Sequence, residues 1–409
     1  MSRIAWGLSA CLWFATLTVF RRDAAWELLL QGLVFLLTAC ALWSGSPGRF
    51  RATPWIAMGL ATVSALGGVQ LLTGQTLERS ATALMTVRWL ALAAWCFTAQ
   101  LVLPGVRAKF LELLTHGAGL FALLSLLMWA TSAGRVYWLW PTSGGDVLGP
   151  WINQNHFAVW CELMLAPAIW LAAGKPHFWW AVAAILAAAS ASGSRAALAL
   201  VTLELVLLWA LVGRGRWAKS ALAVALVLFA VATASWSGDA LWHKLSDSEP
   251  WLYRDQIWSS SVALWRRQPW LGYGLGTFSR AYPEMATFDA GEFVDHAHND
   301  WLEWGVDGGL FMALLLLAGY LYACRQTMRA PWLLGLPIAG LHASVDYPMA
   351  RFPMALWVVL LLALATLDRP RFKLKQRSVS STTELPLPPQ KRHAHPASRP
   401  VFSGQTALD

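Results

Sequence analysis

The feature that most restricts this chain is the spacing of its apolar runs. Twelve of them follow one another, at roughly 4–20, 25–43, 54–73, 86–104, 109–131, 156–173, 177–193, 196–213, 217–236, 306–324, 331–346 and 353–367. About 20 mostly apolar residues in helical form cross the hydrocarbon of a bilayer. The seventh and eleventh runs are short, and the eleventh is the weakest of the twelve. The expected fold class is an all-α polytopic membrane protein with about twelve transmembrane helices, nine within 1–236 and three within 306–367. Composition agrees: 57% of the 409 residues are hydrophobic and 13% charged, where a soluble protein keeps about 25%. A single Arg, Lys or Asp at the centre of a spanning helix costs about 2.5–3.5 kcal/mol, which is why charge is scarce here.

The formal net charge of +9 raises nucleic acid as a partner. The basic residues, however, cluster in short loops and in the tail from Asp368 onward, which is the bias that orients membrane proteins. Membrane lipids, and no nucleic acid, are the expected surroundings. With the N-terminus inside, the inner segments hold Arg3, Arg49, Arg51, Arg107, Lys109, Lys175, Arg214, Arg216, Lys219, Arg325 and Arg329. With the tail these are most of the 31 Lys and Arg, so both termini are expected on the cytoplasmic side. The first apolar run resembles a signal peptide, but the many spans behind it favour an uncleaved helix. Five cysteines (Cys11, Cys40, Cys96, Cys161, Cys324) lie in or beside apolar runs with no Cys-x-x-Cys pair, and read as small buried hydrophobes.

Only residues 237–305 look soluble over any length, and they form the predicted large outer loop. Within them Trp251, Trp258 and Trp265 recur every seven residues, with Ile257, Val262 and Leu264 on the same face. That period marks a helix with an aromatic stripe, expected to lie at headgroup depth. The glycines of "GYGLGTF" (Gly272, Gly274, Gly276) lack the strand–turn–helix frame of a nucleotide site and are expected to turn the chain back toward the membrane. The tail, 368–409, is rich in Pro, Ser and basic residues, and reads as disordered.

Titratable and amide groups collect at the predicted outer ends of the spans. "DHAHND" places His298, Asn299 and Asp300 just ahead of the tenth, and "SASGSRAALAL" sets Arg195 where the eighth begins. Arg254 lies on the loop helix. "WINQNHFA" brings Asn153, Asn155 and His156 to the sixth, and "LHASVDYPMARFP" adds His342, Asp346 and Arg351 at the eleventh. Each has a structural alternative. Asn299 or Asp300 suits an N-cap, as does Ser194, and Arg195 can snorkel to headgroup phosphates. His-x-His beside Asp suits zinc, yet no further His or Cys at ligand spacing completes a site; no metal and no cofactor are expected. In favour of chemistry, ionisable groups at membrane depth are costly and usually face a cavity or pathway. The types are also complementary. Arginine offers forked donors for phosphate, histidine accepts a proton near neutrality, and Asn and Gln offer the neutral hydrogen bonds sugars use.

"SGSRAAL", then Arg254 followed by "LGYGLGTF", then "HAHNDWLEWGVDGGL" resemble, in order and topology, the O-antigen ligase and polymerase family of bacterial inner-membrane proteins. In its ligases a periplasmic His-Asn precedes a Gly nine residues on. Here His298-Asn299 is followed by Asp300 to Gly308, then Gly309. One departure stands: Leu198 comes three residues after Arg195 where ligases place Leu fourth, and Ala199 holds that position, which leaves ligase and polymerase both open.

The resemblance implies a GT-C-like, metal-independent glycosyltransferase of the inner membrane with its site facing the periplasm. Its donor is an undecaprenyl-diphosphate-linked glycan, and its acceptor a lipid A-core or a growing glycan. On that reading His298, Arg254 and Arg195 are catalytic, with Asn299, Asp300, Asn153, Asn155, His156, His342 and Asp346 binding substrate. Asn299 or Asp300 would orient the His298 ring. A protein-glycosylating ligase is a further relative. A transporter is the rival from another class, but its polar groups belong near the bilayer midplane in two repeated halves.

Overall fold

The computed structural model describes residues 1–44, 54–142, 147–211, 216–246, 253–287, 291 and 293–367. The predicted tail lies outside the described residues, as does Trp251 of the aromatic stripe. Among the described residues the elements are α1 (Arg3–Leu17), α2 (Ala24–Trp43), α3 (Trp55–Thr73), α4 (Arg79–Val102), α5 (Arg107–Thr131), α6 (Gln154–Gly174), α7 (Trp179–Ala191), α8 (Arg195–Leu211), α9 (Arg216–Leu245), α10 (Arg254–Arg267), α11 (Phe278–Ala281), α12 (Asp300–Thr327), α13 (Gly335–His342) and α14 (Phe352–Thr366). A two-residue hairpin, β1 (Arg135–Val136) with β2 (Trp140–Pro141), follows α5. Each of the twelve apolar runs holds a helix. Seven helices (α2 to α6, α9 and α12) are long and apolar enough to cross a membrane, and the chain is an all-α polytopic membrane protein. Helices satisfy their backbone groups within one segment, which is what hydrocarbon demands.

The eleventh run departs from expectation. Its helix α13 covers only eight residues, about 12 Å at 1.5 Å per residue, and does not cross a bilayer alone. Short 3₁₀ turns at Pro331–Leu333 and Pro348–Ala350 bracket it. Each turn begins at a proline, which lacks the N–H a longer helix needs. The segment still climbs back to the start of α12, because the Asp300 N–H donates to the carbonyls of Ala343 (2.9 Å) and Asp346 (3.2 Å).

α6 is the core. Nearly all its side chains are buried, because α5, α7, α8, α13 and α14 pack around it. Trp160 of α6 meets Trp13, Phe121 and Trp357 edge-on, with centroids 4.7–6.4 Å apart; such pairs add about 0.5–1.5 kcal/mol each beyond their burial. The indole N–H groups of Trp95 and Trp357 reach the Leu356 carbonyl and Thr16 Oγ1, so neither large ring strands a donor in the interior. α2 and α9 are the opposite case. Leu29, Leu36, Leu42, Val224, Val227 and Leu228 stand exposed on them, apolar surface that only lipid covers at no cost.

α12 bends where the site begins. Gly309 has φ 65° and ψ −165° inside the helix, and a Cβ there would come within 2.3 Å of the Trp270 backbone. The freed N–H of Leu310 donates to the Pro269 carbonyl at 2.7 Å. The "GYGLG" loop packs into the bend: Gly272 has φ 69°, and a Cβ on it would lie 2.4 Å from the Val306 carbonyl. Gln70 of α3 ties the loop down, donating to the Leu271 and Asp307 carbonyls and accepting from the Leu275 N–H. α10 packs on α12. Trp265 lies against Gly305, and Trp258 donates to the Ala297 carbonyl at 3.1 Å. These two members of the aromatic stripe therefore face protein.

Candidate active site

Four segments bring their polar ends together where α12 starts. Asn299 caps α12, its Oδ1 accepting from the Leu302 N–H at 3.1 Å. Asn153 caps α6 by accepting from the N–H groups of Asn155 and His156. The two asparagines thus commit an oxygen each to helix ends, and the caps fix the side chains beside them. Asn155 donates to Asp346 Oδ2, and His156 Nε2 lies 3.7 Å from Asp346 Oδ1. The Tyr347 N–H donates to the same Oδ1 at 2.8 Å.

His298 completes the group from the other side. Its Nδ1 is 4.0 Å from Asp346 Oδ1 and buried without a hydrogen bond, while the side chain stays 31% exposed. Its backbone sits at φ 49°, the left-handed region that costs a residue with a Cβ about 1–3 kcal/mol. The Tyr347 ring is the hub, 4.9 Å from His156, 4.8 Å from His298 and stacked at 4.3 Å on His296. Arg254, the first residue of α10, donates to the Val345 carbonyl at 2.7 Å. That bond holds its charge next to Asp346 and His298.

The two histidines of the "HAH" motif respond in opposite directions. Burial first, and then the positive charge of Arg254, hold His298 below its ordinary value, so it is neutral and able to accept a proton at pH 7. Burial also opposes charge on His296, but its Nδ1 lies 2.9 Å from Glu303 Oε1, and the carboxylates of Glu303 and Asp295 outweigh burial and raise it. Glu303 also accepts from the Ala297 N–H at 3.0 Å, which locks the loop in front of His298.

Other predicted residues are placed differently. Asp300 is buried, and its Oδ2 accepts from the Met349 N–H at 3.0 Å. It fixes the turn after α13, and the carboxylate beside the His298 ring is that of Asp346. His342 is fully buried, its Nδ1 2.8 Å from Oε1 of Glu162 on α6. Arg195 heads α8, whose first turn is capped by the Ser194 hydroxyl accepting from the Ala197 N–H. α8 packs against α6 and α13, the helices that carry His156 and His342. Among the described residues no group of three or more His, Cys, Asp or Glu is arranged to hold a metal ion.

Three contributors escaped the sequence reading. Glu303 sits one helical turn after Asn299, so its reach back to His296 was readable from the spacing. Tyr347 carried no charge to draw notice beside Asp346. Glu162 was a lone acid in an apolar helix, a costly placement that signals a buried partner.

No curated protein matches this chain. Residues 180–317, the stretch that carries Arg195, Arg254 and His298, match the family model described as O-antigen ligase. His156 and Asp346 fall outside that stretch and are joined to it by the fold. That match, over residues 180–317, is consistent with the O-antigen ligase and polymerase family whose motifs the chain resembles.

Proposed function

We propose that this protein transfers a glycan from undecaprenyl diphosphate to an acceptor hydroxyl at the periplasmic face of the inner membrane. The acceptor would be a lipid A-core. The observation that carries the reading is His298: a neutral imidazole held in a strained backbone conformation, with a carboxylate behind its Nδ1 and a guanidinium beside it, inside the family-matched stretch. Strain of this kind persists only where surrounding structure imposes it, and it clusters at working sites.

In this reading the acceptor hydroxyl oxygen attacks the anomeric carbon of the donor sugar. Its proton passes to Nε2 of His298, the ring nitrogen that is not buried against Asp346, for a gain of about 10²–10⁴-fold. Asp346 stabilises the imidazolium that forms. The bond between the anomeric carbon and the diphosphate oxygen breaks, and the electron pair leaves with the diphosphate. Arg254 stabilises that developing charge as a donor fixed in advance by its bond to Val345, and Arg195 is the second candidate for the role. Asn155 and His156 hold Asp346 in place. A polymerase of the same family would run the same bond changes with a second lipid-linked glycan as acceptor.

The test is a transfer assay in proteoliposomes with a lipid-linked glycan donor, offered a lipid A-core or a second copy of the donor. His298→Ala and Arg254→Ala should abolish transfer while the protein accumulates and inserts normally. Wild-type rates from either variant would reject the assigned roles. Activity lost to EDTA and restored by zinc would replace them with metal chemistry.

A further inference from the structure

A second cationic pocket adjoins the histidine cluster. It is a cavity of about 40 Å³ lined by Arg21, Arg22 and Glu27 from the α1–α2 corner and by Arg351 and Phe352 from the start of α14. One water needs about 10–15 Å³ of such volume, so it has room for about three waters, or one phosphate-sized anion. Four guanidiniums gather here around two carboxylates. Arg21 pairs with Asp23 at 3.0 Å and lies over the Trp26 ring. Arg88 is buried and spends its donors on Glu27 (3.4 Å) and on the Met349 and Ala350 carbonyls. Both acids are thus engaged.

Arg22 and Arg351 are left. Among the described residues neither has a carboxylate within 4.0 Å, although each is close enough to feel the other's charge. Arg351 is half-buried, and both its burial and the charge of Arg22 weigh against its own. Arg22 is exposed; two like charges held together are stabilised by a shared anion, and forked guanidiniums match phosphate oxygens two at a time. Arg351 also acts electrostatically on His156 and His296, whereas Arg254 acts on His298 and Asp346. The two cationic positions therefore address different members of one cluster.

We propose that Arg22 and Arg351 form a phosphate-binding subsite, distinct from Arg254, that seats a phosphate group beside the histidine cluster. The phosphate is carried either by a glycolipid substrate or by an anionic phospholipid of the surrounding leaflet. The site itself follows from its own geometry. Only the assignment to a glycolipid substrate rests on the transfer reaction proposed above.

The test begins with binding. The full chain in uncharged detergent is titrated with inorganic phosphate at constant ionic strength, and its melting temperature is followed. A saturable rise is expected in the wild type and in Arg254→Gln, lost in Arg22→Gln and Arg351→Gln and partly kept in Arg351→Lys. Size-exclusion profiles and melting without phosphate show that the variants fold. No saturable rise in the wild type, or a rise lost only in Arg254→Gln, overturns the proposal, whatever the transfer assay gives. Nanodiscs then separate the sources. If phosphatidylglycerol in place of phosphatidylcholine removes the phosphate response, the leaflet supplies the ligand. If the response survives, Arg351→Gln should raise KM about tenfold or more for a phosphorylated acceptor, with kcat kept, and leave a phosphatase-treated acceptor unaffected.

Discussion

Two histidines, His298 and His342, show how differently the same side chain is used here. His342 is fully buried and bonded to Glu162 at 2.8 Å, with α6 and α13 closed around the pair. His298 is 31% exposed, has no hydrogen bond at Nδ1 and sits in a left-handed backbone conformation. His342 has a bonded partner and no solvent exposure, as a group that holds two helices in register should. His298 is strained in its backbone, partly exposed and without a hydrogen bond at Nδ1. Proximity to a carboxylate does not distinguish them, since both have one. What distinguishes them is exposure and the bond to that carboxylate: Nδ1 of His342 makes it at 2.8 Å, whereas Nδ1 of His298 stays 4.0 Å away.

The comparison is broken most directly at His298. His298→Ala should lower transfer by about 10²–10⁴-fold with little change in melting temperature, since it breaks no hydrogen bond at Nδ1. A comparable loss from His342→Ala per folded molecule would erase the distinction. The His342–Glu162 pair should respond in stability. Glu162→Gln or His342→Ala leaves a buried polar group unpartnered and should cost about 3–5 kcal/mol, read as poor accumulation and a lowered melting temperature. The double change Glu162→Leu with His342→Phe should recover most of that loss, because replacing a buried pair by apolar groups is often neutral. If the double variant melts normally yet stays inactive, the pair takes part in the reaction.

Gly309→Ala tests the scaffold that aims His298. Its positive φ and the Trp270 backbone 2.3 Å from any Cβ predict misfolding of the bend, visible as exposure of the 268–277 loop to protease. The smallest effect is in pH. Arg254 helps hold His298 below its ordinary value. Removing that charge in Arg254→Gln raises the group, so the acid limb of whatever activity remains should move to higher pH. A limb that stays in place, or moves down, detaches Arg254 from the histidine.

Much of the architecture could be read directly from the chain. Each apolar run became a helix because hydrocarbon leaves a backbone segment few other ways to satisfy its polar groups. Five runs gave helices outside the seven long enough to span. The one around Pro331, Pro337 and Pro348 is the shortest of them, for a local reason: proline withholds the donor that a longer helix requires. Position within the candidate site was harder to read. Asn299 and Asn153 look alike with His298 and His156 as polar residues at helix starts, yet the asparagines are committed as caps. Asp300 lies two residues from His298, but it bonds to Met349.

The order of the segments along the chain, their apolar length and the costly placing of titratable groups at their ends were thus determined by the sequence alone. The reason is that backbone satisfaction and desolvation are local costs, charged to each segment whatever its neighbours. Which carboxylate stands behind His298, which histidine is locked away on Glu162, and which arginines lack a counter-ion were decided only by tertiary structure. Asp346 reaches His298 because the bend at Gly309, the short α13 and the cap of α6 bring three distant stretches to one point, and no local preference specifies that meeting.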